Sequence, residues 1–402
     1  MSAIAIVVNR CSSLSWALLL LLVALGPACS SDTTEDADGG VMGDGDGDTG
    51  GGDGDGSGLI DTGETVPFTA GEAMEPEPME WEYVHFPESY CRDGNETGLG
   101  ININPDSDKL LIYLEGGGAC FNTLTCVANP SSWGEADLGS PGGILSRDGD
   151  SPFADWNIVY VPYCSGDVFT GGNTNGTGLN GDTMAGYLNM GEYLERIVPT
   201  FPDVTDVVLT GVSAGGFGAS YNWLRTQDAF GDDIPVHLLD DSGPPMSQDY
   251  MPPCWQKRIA EAWGWDKTVY PACANCDVEG GNVVVPLVEM ALDRLGDEQR
   301  FALLTNDEDG VIKTFLAYGV DDCADYDAFI PPGYPAGLYP EALDELEERT
   351  TGRDNFGMFR ITGGGHVLMS GDLEAEEAEG ITLRDFIIAF RDGTDEFRTV
   401  SQ

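Results

Sequence analysis

Asp206-Val207-Val208-Leu209-Thr210-Gly211-Val212-Ser213-Ala214-Gly215-Gly216 is the stretch on which the fold turns. An apolar, β-favouring run breaks into a Gly-x-Ser-x-Gly pattern, and a helix-compatible segment, Gly216 to Gln227, follows. A strand that bends sharply into a helix with serine at the bend is the nucleophile-elbow arrangement. The turn holds the serine backbone in a strained conformation, and side chains two positions to either side would clash. The same letters also suit a tight turn whose serine caps the helix. The flanking strand and helix favour the nucleophile.

The same rhythm recurs outward from this point. Apolar runs at Lys109–Leu114, Trp156–Val161, Val236–Leu239, Phe301–Leu304 and Phe356–Ile361 each end in polar or glycine-rich turn chemistry. Helical patterns lie among them at Thr183–Val198, Val283–Leu295, Val311–Tyr318, Pro340–Arg349 and Leu383–Phe390. Strands alternating with helices predict an α/β fold: a doubly wound, mostly parallel sheet with helices on both faces, of the α/β-hydrolase type. Ligands in such sheets bind beyond the carboxyl ends of the strands. Every turn named above follows a strand, so all can converge on one edge.

The ends of the chain have a different character. Arg10, the apolar run Leu14 to Leu25 and Gly26-Pro27-Ala28-Cys29 read as an export signal over residues 1–29. Cys29, followed by Ser30-Ser31-Asp32, offers a lipoprotein acylation site. Residues 30–80 are rich in Gly and Asp and contain no Lys or Arg. Such a segment cannot bury enough apolar surface to offset its chain entropy and is expected to be an extended, disordered tether. Asp44, Asp46 and Asp48 have ligand-like spacing, but no Glu follows where a calcium loop needs one. Residues 81–402 form the expected catalytic domain, long enough for a well-buried core. The expected location is outside the cytoplasm: an outer-membrane or cell-surface lipoprotein, or a secreted protein. The only membrane contact expected is a lipid anchor at Cys29.

The formal net charge is -51, which repels nucleic acid and anionic membranes. Beyond the signal and Cys29, eight cysteines remain: Cys91, Cys120, Cys126, Cys164, Cys254, Cys273, Cys276 and Cys323. An even number in an exported chain reads as disulfides. The rival is a zinc site at Cys273-Ala274-Asn275-Cys276, which lacks a second such pair and a nearby histidine.

A serine nucleophile needs a base. Three histidines are available. His85 precedes the serine, His237 sits inside an apolar run, and His366 follows a strand and three glycines C-terminal to Ser213. The order Ser, acid, His selects His366. The acid belongs on a loop between them. Asp309 is the first choice and Asp307 the second, both after Phe301–Leu304; Asp240 and Asp241 rank third. Asp309 could equally be a helix N-cap for the segment beginning at Val311. An oxyanion hole needs backbone N–H groups. Ala214, after the serine, supplies one, and the loop Gly116-Gly117-Gly118 another.

Together these residues resemble the pectin acetylesterases and Notum-type carboxylesterases. The resemblance rests on Leu114-Glu115-Gly116-Gly117-Gly118-Ala119-Cys120-Phe121-Asn122, on Tyr163-Cys164-Ser165-Gly166-Asp167-Val168-Phe169-Thr170-Gly171, on the Ser213 elbow and on Asp241-Ser242-Gly243. It implies a Ser-Asp-His esterase, favours Asp309 as the acid and places the oxyanion donors at Gly117, Gly118 and Ala214. The family's histidine segment does not match Gly363-Gly364-Gly365-His366, so His366 rests on elimination. It also implies the bridges Cys91–Cys164 and Cys120–Cys126. Ala119 lies where the family usually carries an aromatic residue at or beside this position, so the pocket rim is expected to differ.

The leading expectation is therefore a monomeric, exported hydrolase of acyl esters of carbohydrates or small alcohols, working without metal or cofactor. Peptide or polyester hydrolysis on the same machinery, and a non-catalytic binding protein, are the alternatives. Pectin is a polyanion and this chain is strongly acidic, so uncharged esters are the expected substrates. Arg147 and Arg225 are the arginines that could line the cleft regardless of net charge.

Overall fold

The computed structural model describes residues 68–402. The expected export signal, Cys29 and most of the expected acidic tether lie outside the described residues. Packing starts before Trp81: Met74 is buried, its N–H donates to Thr200 Oγ1 at 2.7 Å, and Gly71 N–H donates to Glu195 O at 2.8 Å. These residues pack before position 81, where the domain was expected to begin.

The strands are β1 (Glu82–Tyr90), β2 (Glu96–Asn102), β3 (Lys109–Leu114), β4 (Asn157–Val161), β5 (Asp206–Val212), β6 (Val236–Asp241), β7 (Phe301–Asn306), β8 (Phe356–Ile361), β9 (Glu377–Ala378), β10 (Ile381–Thr382) and β11 (Val400–Ser401). Nine of them form one sheet in the order β1-β2-β4-β3-β5-β6-β7-β8-β11, while β9 and β10 pair separately. From β4 to β11 the pairing is parallel; β1, β2 and β4 pair antiparallel.

Successive residues of a strand face opposite sides, and both sides here are dry. Leu110, Ile112, Val207, Leu209, Leu238 and Leu303 enter one hydrophobic cluster. Their neighbours Leu111, Val208, Leu239 and Leu304 enter the other. This is why the strands read as unbroken apolar runs. Helices Gly186–Thr200, Ala214–Phe230, Val284–Arg294 and Leu338–Thr350 supply the first cluster; helix Leu383–Asp392 supplies the second through Phe386, Ile387 and Phe390. The expected α/β-hydrolase-like, mostly parallel sheet covered on both faces is the fold observed.

Two features escape the sequence reading. Strands β1 and β2 hide because β1 is a largely exposed edge with Pro87 beside a register shift, where proline is tolerated. Helix Pro253–Trp263 hides because Pro252-Pro253 reads as a breaker, although proline suits a first helical turn.

All eight cysteines are bridged: Cys91–Cys164, Cys120–Cys126, Cys254–Cys323 and Cys273–Cys276. The first two are the pairs implied by the family resemblance. The last ties up the two sulfurs considered as zinc ligands. Among the described residues no helix is long and apolar enough to cross a membrane.

Candidate active site

Strand β5 ends at Val212, and Ser213 sits at φ 57°, ψ -118° before helix Ala214–Phe230. A β-carbon on Gly215 would lie 2.0 Å from Leu114 O, and one on Gly211 2.3 Å from Gly215 O. Only glycine lets the turn close against β3. The strain at Ser213 is held by its own N–H, which donates to Asp241 O at 2.7 Å. Ser213 Oγ makes no hydrogen bond among the described residues, and the residue lines a cavity.

The loop after β3 lies alongside. Gly117 packs so close to Tyr163 that an added β-carbon would sit 2.3 Å from its ring. Tyr163 Oη donates to Gly118 O at 2.8 Å and accepts from Val168 N–H at 3.0 Å. Glu115, raised in pKa by burial, accepts from Tyr163 N–H at 2.9 Å. These contacts fix the loop while the amides of Gly117, Gly118 and Ala214 find no acceptor among the described residues.

Asp309 and His366 meet because β7 and β8 are neighbours whose pairing continues past the strands. Asp307 N–H donates to Ile361 O at 2.8 Å, Glu308 N–H to Gly363 O at 2.9 Å, and Gly310 N–H to Gly364 O at 3.3 Å. His366 Nδ1 is thereby placed 2.7 Å from Asp309 Oδ2. The other oxygen, Oδ1, accepts from Val311 N–H at 2.9 Å and Ile312 N–H at 3.0 Å, capping helix Gly310–Leu316. One fully buried carboxylate thus contacts both the helix N-terminus and His366. Asp307 turns away to Arg360, and Asp240 bonds Ser220 Oγ at 2.6 Å. Asp241 binds the backbone after His366.

The other histidines sit elsewhere. His237 is buried with Nε2 3.1 Å from Asp206, and burial lowers its pKa; His85 pairs with Glu96 at the exposed edge. No hydrogen bond joins Ser213 Oγ to His366 among the described residues; contacts of this kind commonly tighten only around substrate.

The cavity at Ser213 holds about 40 Å³ of water-accessible space and is lined by Ala119, Met251, Trp255, Trp263 and Phe315 among others, with no charged side chain. Ala119 is one of the residues that line it. Arg147 and Arg225 do not reach it. Arg147 binds Asn102 and backbone oxygens, and Arg225 stacks on Tyr187 beside a separate cavity of about 320 Å³. Helix Pro253–Trp263, which supplies Trp255 and Trp263, gave no functional signal in the sequence.

Comparison with known proteins bears on the first half of this site. The pectinacetylesterase family matches residues 74–252. Palmitoleoyl-protein carboxylesterase notum2 of Xenopus laevis is 32% identical over 170 residues, 38% of this chain and 34% of that protein. The NOTUM protein of Schmidtea mediterranea is 35% identical over 152 residues, 33% of this chain and 27% of that protein. The chain thus spans about a third of the length of the curated relatives it matches. The structure of the Wnt deacylase Notum from Drosophila shares the fold, with a TM-score of 0.58 at 19% identity over 80% of this chain and 96% of that one. The family match takes in the glycine loop and the elbow but stops before Asp309 and His366, whose pairing rests on geometry alone. Residues 74–252 are thus similar to the pectinacetylesterase family, and the chain resembles the Notum-type carboxylesterases over part of its length.

Proposed function

We propose that this chain is an exported serine carboxylic-ester hydrolase that removes short, uncharged acyl groups, with Ser213, His366 and Asp309 as its triad. The observation that carries the reading is the 2.7 Å contact of His366 Nδ1 with buried Asp309, one loop away from a strained serine over an apolar cavity. A proton held on Nδ1 leaves Nε2 free to accept one. Ser213 Oγ attacks the acyl carbon as Nε2 takes its proton. The oxyanion develops toward the amides of Gly117, Gly118 and Ala214. Nε2 then protonates the leaving alcohol, and water repeats the sequence on the acyl-enzyme.

The cavity supports the choice of acyl group. A water needs about 10–15 Å³ on this measure, so 40 Å³ has room for a few atoms. That suits an acetyl-sized group better than the palmitoleoyl group named for the Notum relatives. Four disulfides support export to an oxidising compartment, with the N-terminal signal cut before Cys29 and Cys29 as the lipid anchor of the tethered form.

A chain-length series of aryl esters tests the proposal. Expected is a kcat/KM maximum at acetate to butyrate, lost in Ser213→Ala, together with covalent labelling of Ser213 by an acyl phosphonate. A protein neither labelled nor active on any ester would be a binding protein on this fold.

A further inference from the structure

We propose that Asp241 is a positioning residue that sets the distance between Ser213 and His366, resting on the triad assigned above. Three observations converge on it. Its main-chain oxygen accepts from Ser213 N–H at 2.7 Å, the bond that holds the elbow's strained backbone. Its side chain reaches across to the other half of the site. Oδ2 accepts from Leu368 N–H at 2.8 Å and Met369 N–H at 2.7 Å, and Oδ1 accepts from Ser242 Oγ at 2.9 Å. Ser242 Oγ in turn accepts from Val367 N–H at 3.2 Å. The three amides that follow His366 therefore all end on Asp241-Ser242.

The geometry of that loop needs such an anchor. Val367 stands at φ 55° and Ser242 at φ 67°, a region a β-branched residue such as valine rarely adopts. Strained backbone of this kind persists only where its surroundings over-determine it. Helix Gly310–Leu316 and Asp309 fix the imidazole through Nδ1, but they cannot fix the distance from the base to the nucleophile. Only a group bonded to both loops can do that, and Asp241 is bonded to both. It is fully buried, and burial raises its carboxyl to about 6, while the bonds from Met369, Ser242 and Leu368 and the nearby His366 pull the other way. The carboxylate is thus kept for its acceptor pattern in a place that disfavours its charge.

Asp241→Ala, read with a short neutral ester, tests the inference, with Ser213→Ala measured alongside. A misplacement of about 1 Å costs roughly 10²-fold in rate. Expected is a kcat loss of that order with KM within about twofold of wild type. Asp241→Asn should recover most of it, because its Oδ1 can accept from Leu368 and Met369 while its amide donates to Ser242 Oγ. A purely structural residue would lower the melting temperature and leave kcat alone, which overturns the inference. Asp241→Asn as inactive as Asp241→Ala would overturn it too, since the charge would then belong to the chemistry. If Asp241→Ala does not fold, Ser242→Ala carries the test. It should lose roughly five- to tenfold in kcat at constant KM, about one hydrogen bond's worth, and unchanged kcat sinks the idea. A wild-type protein without esterase activity would instead defeat the triad assignment.

Discussion

Asp309 divides its two oxygens between a helix N-terminus and an imidazole, and the division has consequences. Asp309→Asn should keep a cap acceptor yet present the wrong partner to His366 Nδ1. The expected outcome is a fall in kcat of about 10⁴-fold with modest change in stability, read by ester hydrolysis and thermal melting side by side. Asp307→Asn breaks the Arg360 pair and nothing at the histidine, so turnover should stay within a few-fold. The reverse ranking would move the acid to Asp307. Ser213→Ala should leave only the ~10³–10⁴-fold over water that binding and the oxyanion donors supply. Retained wild-type turnover in that variant would remove the nucleophile assignment.

At the scale of elements, the elbow is a contact between β5, its helix and the end of β3. Gly215→Ala forces a methyl to 2.0 Å from Leu114 O, so β3 and the glycine loop must shift. Soluble protein with wild-type kcat would refute that. Helix Pro253–Trp263 and the bridge Cys254–Cys323 form the other wall. The helix presents Trp255, Ile259 and Trp263 to the cavity, and the bridge ties it to the chain beyond Phe315 and Leu316. Replacing both cysteines by serine should cost about 2–5 kcal/mol and let the helix move away. The chain-length optimum should then broaden toward longer acyl groups. An unchanged optimum would mean that packing alone sets the pocket.

For the whole molecule, charge dominates. At a net charge of -51, encounter with an anionic polymer is opposed and encounter with a neutral ester is not. Screening shortens to about 8 Å at physiological ionic strength and about 3 Å in molar salt. Added salt should therefore raise kcat/KM on an acetylated polyuronate and leave an aryl acetate unchanged. A fall on the polyuronate alone would reveal a basic groove away from the acyl cavity. Stability should follow pH in one direction as well. Burial pushes Asp240 up to about 7 and Asp241 to about 6. Both bind protons more tightly folded than unfolded, so stability falls as pH rises from about 4 through about 7 and then levels off. Calorimetry across that range, with Asp240→Asn flattening part of the slope, checks the sign.

The strands β3 to β8 and the elbow were legible because each is a local pattern: apolar runs long enough to cross a sheet, and glycines where a turn leaves no room. The proposed order Ser, acid, His came from having few histidines to choose among. Nothing local could tell whether Asp309 only caps a helix or also meets a histidine. That required β7 and β8 to be neighbours, so that two loops 57 residues apart could pair. Nor could sequence show what Asp241 holds or which helix walls the cavity, since the amides of residues 367–369 and the tryptophans of Pro253–Trp263 arrive from distant parts of the chain. Local sequence determined which backbone conformations were possible; the close packing of strands that are remote in sequence decided which side chains meet.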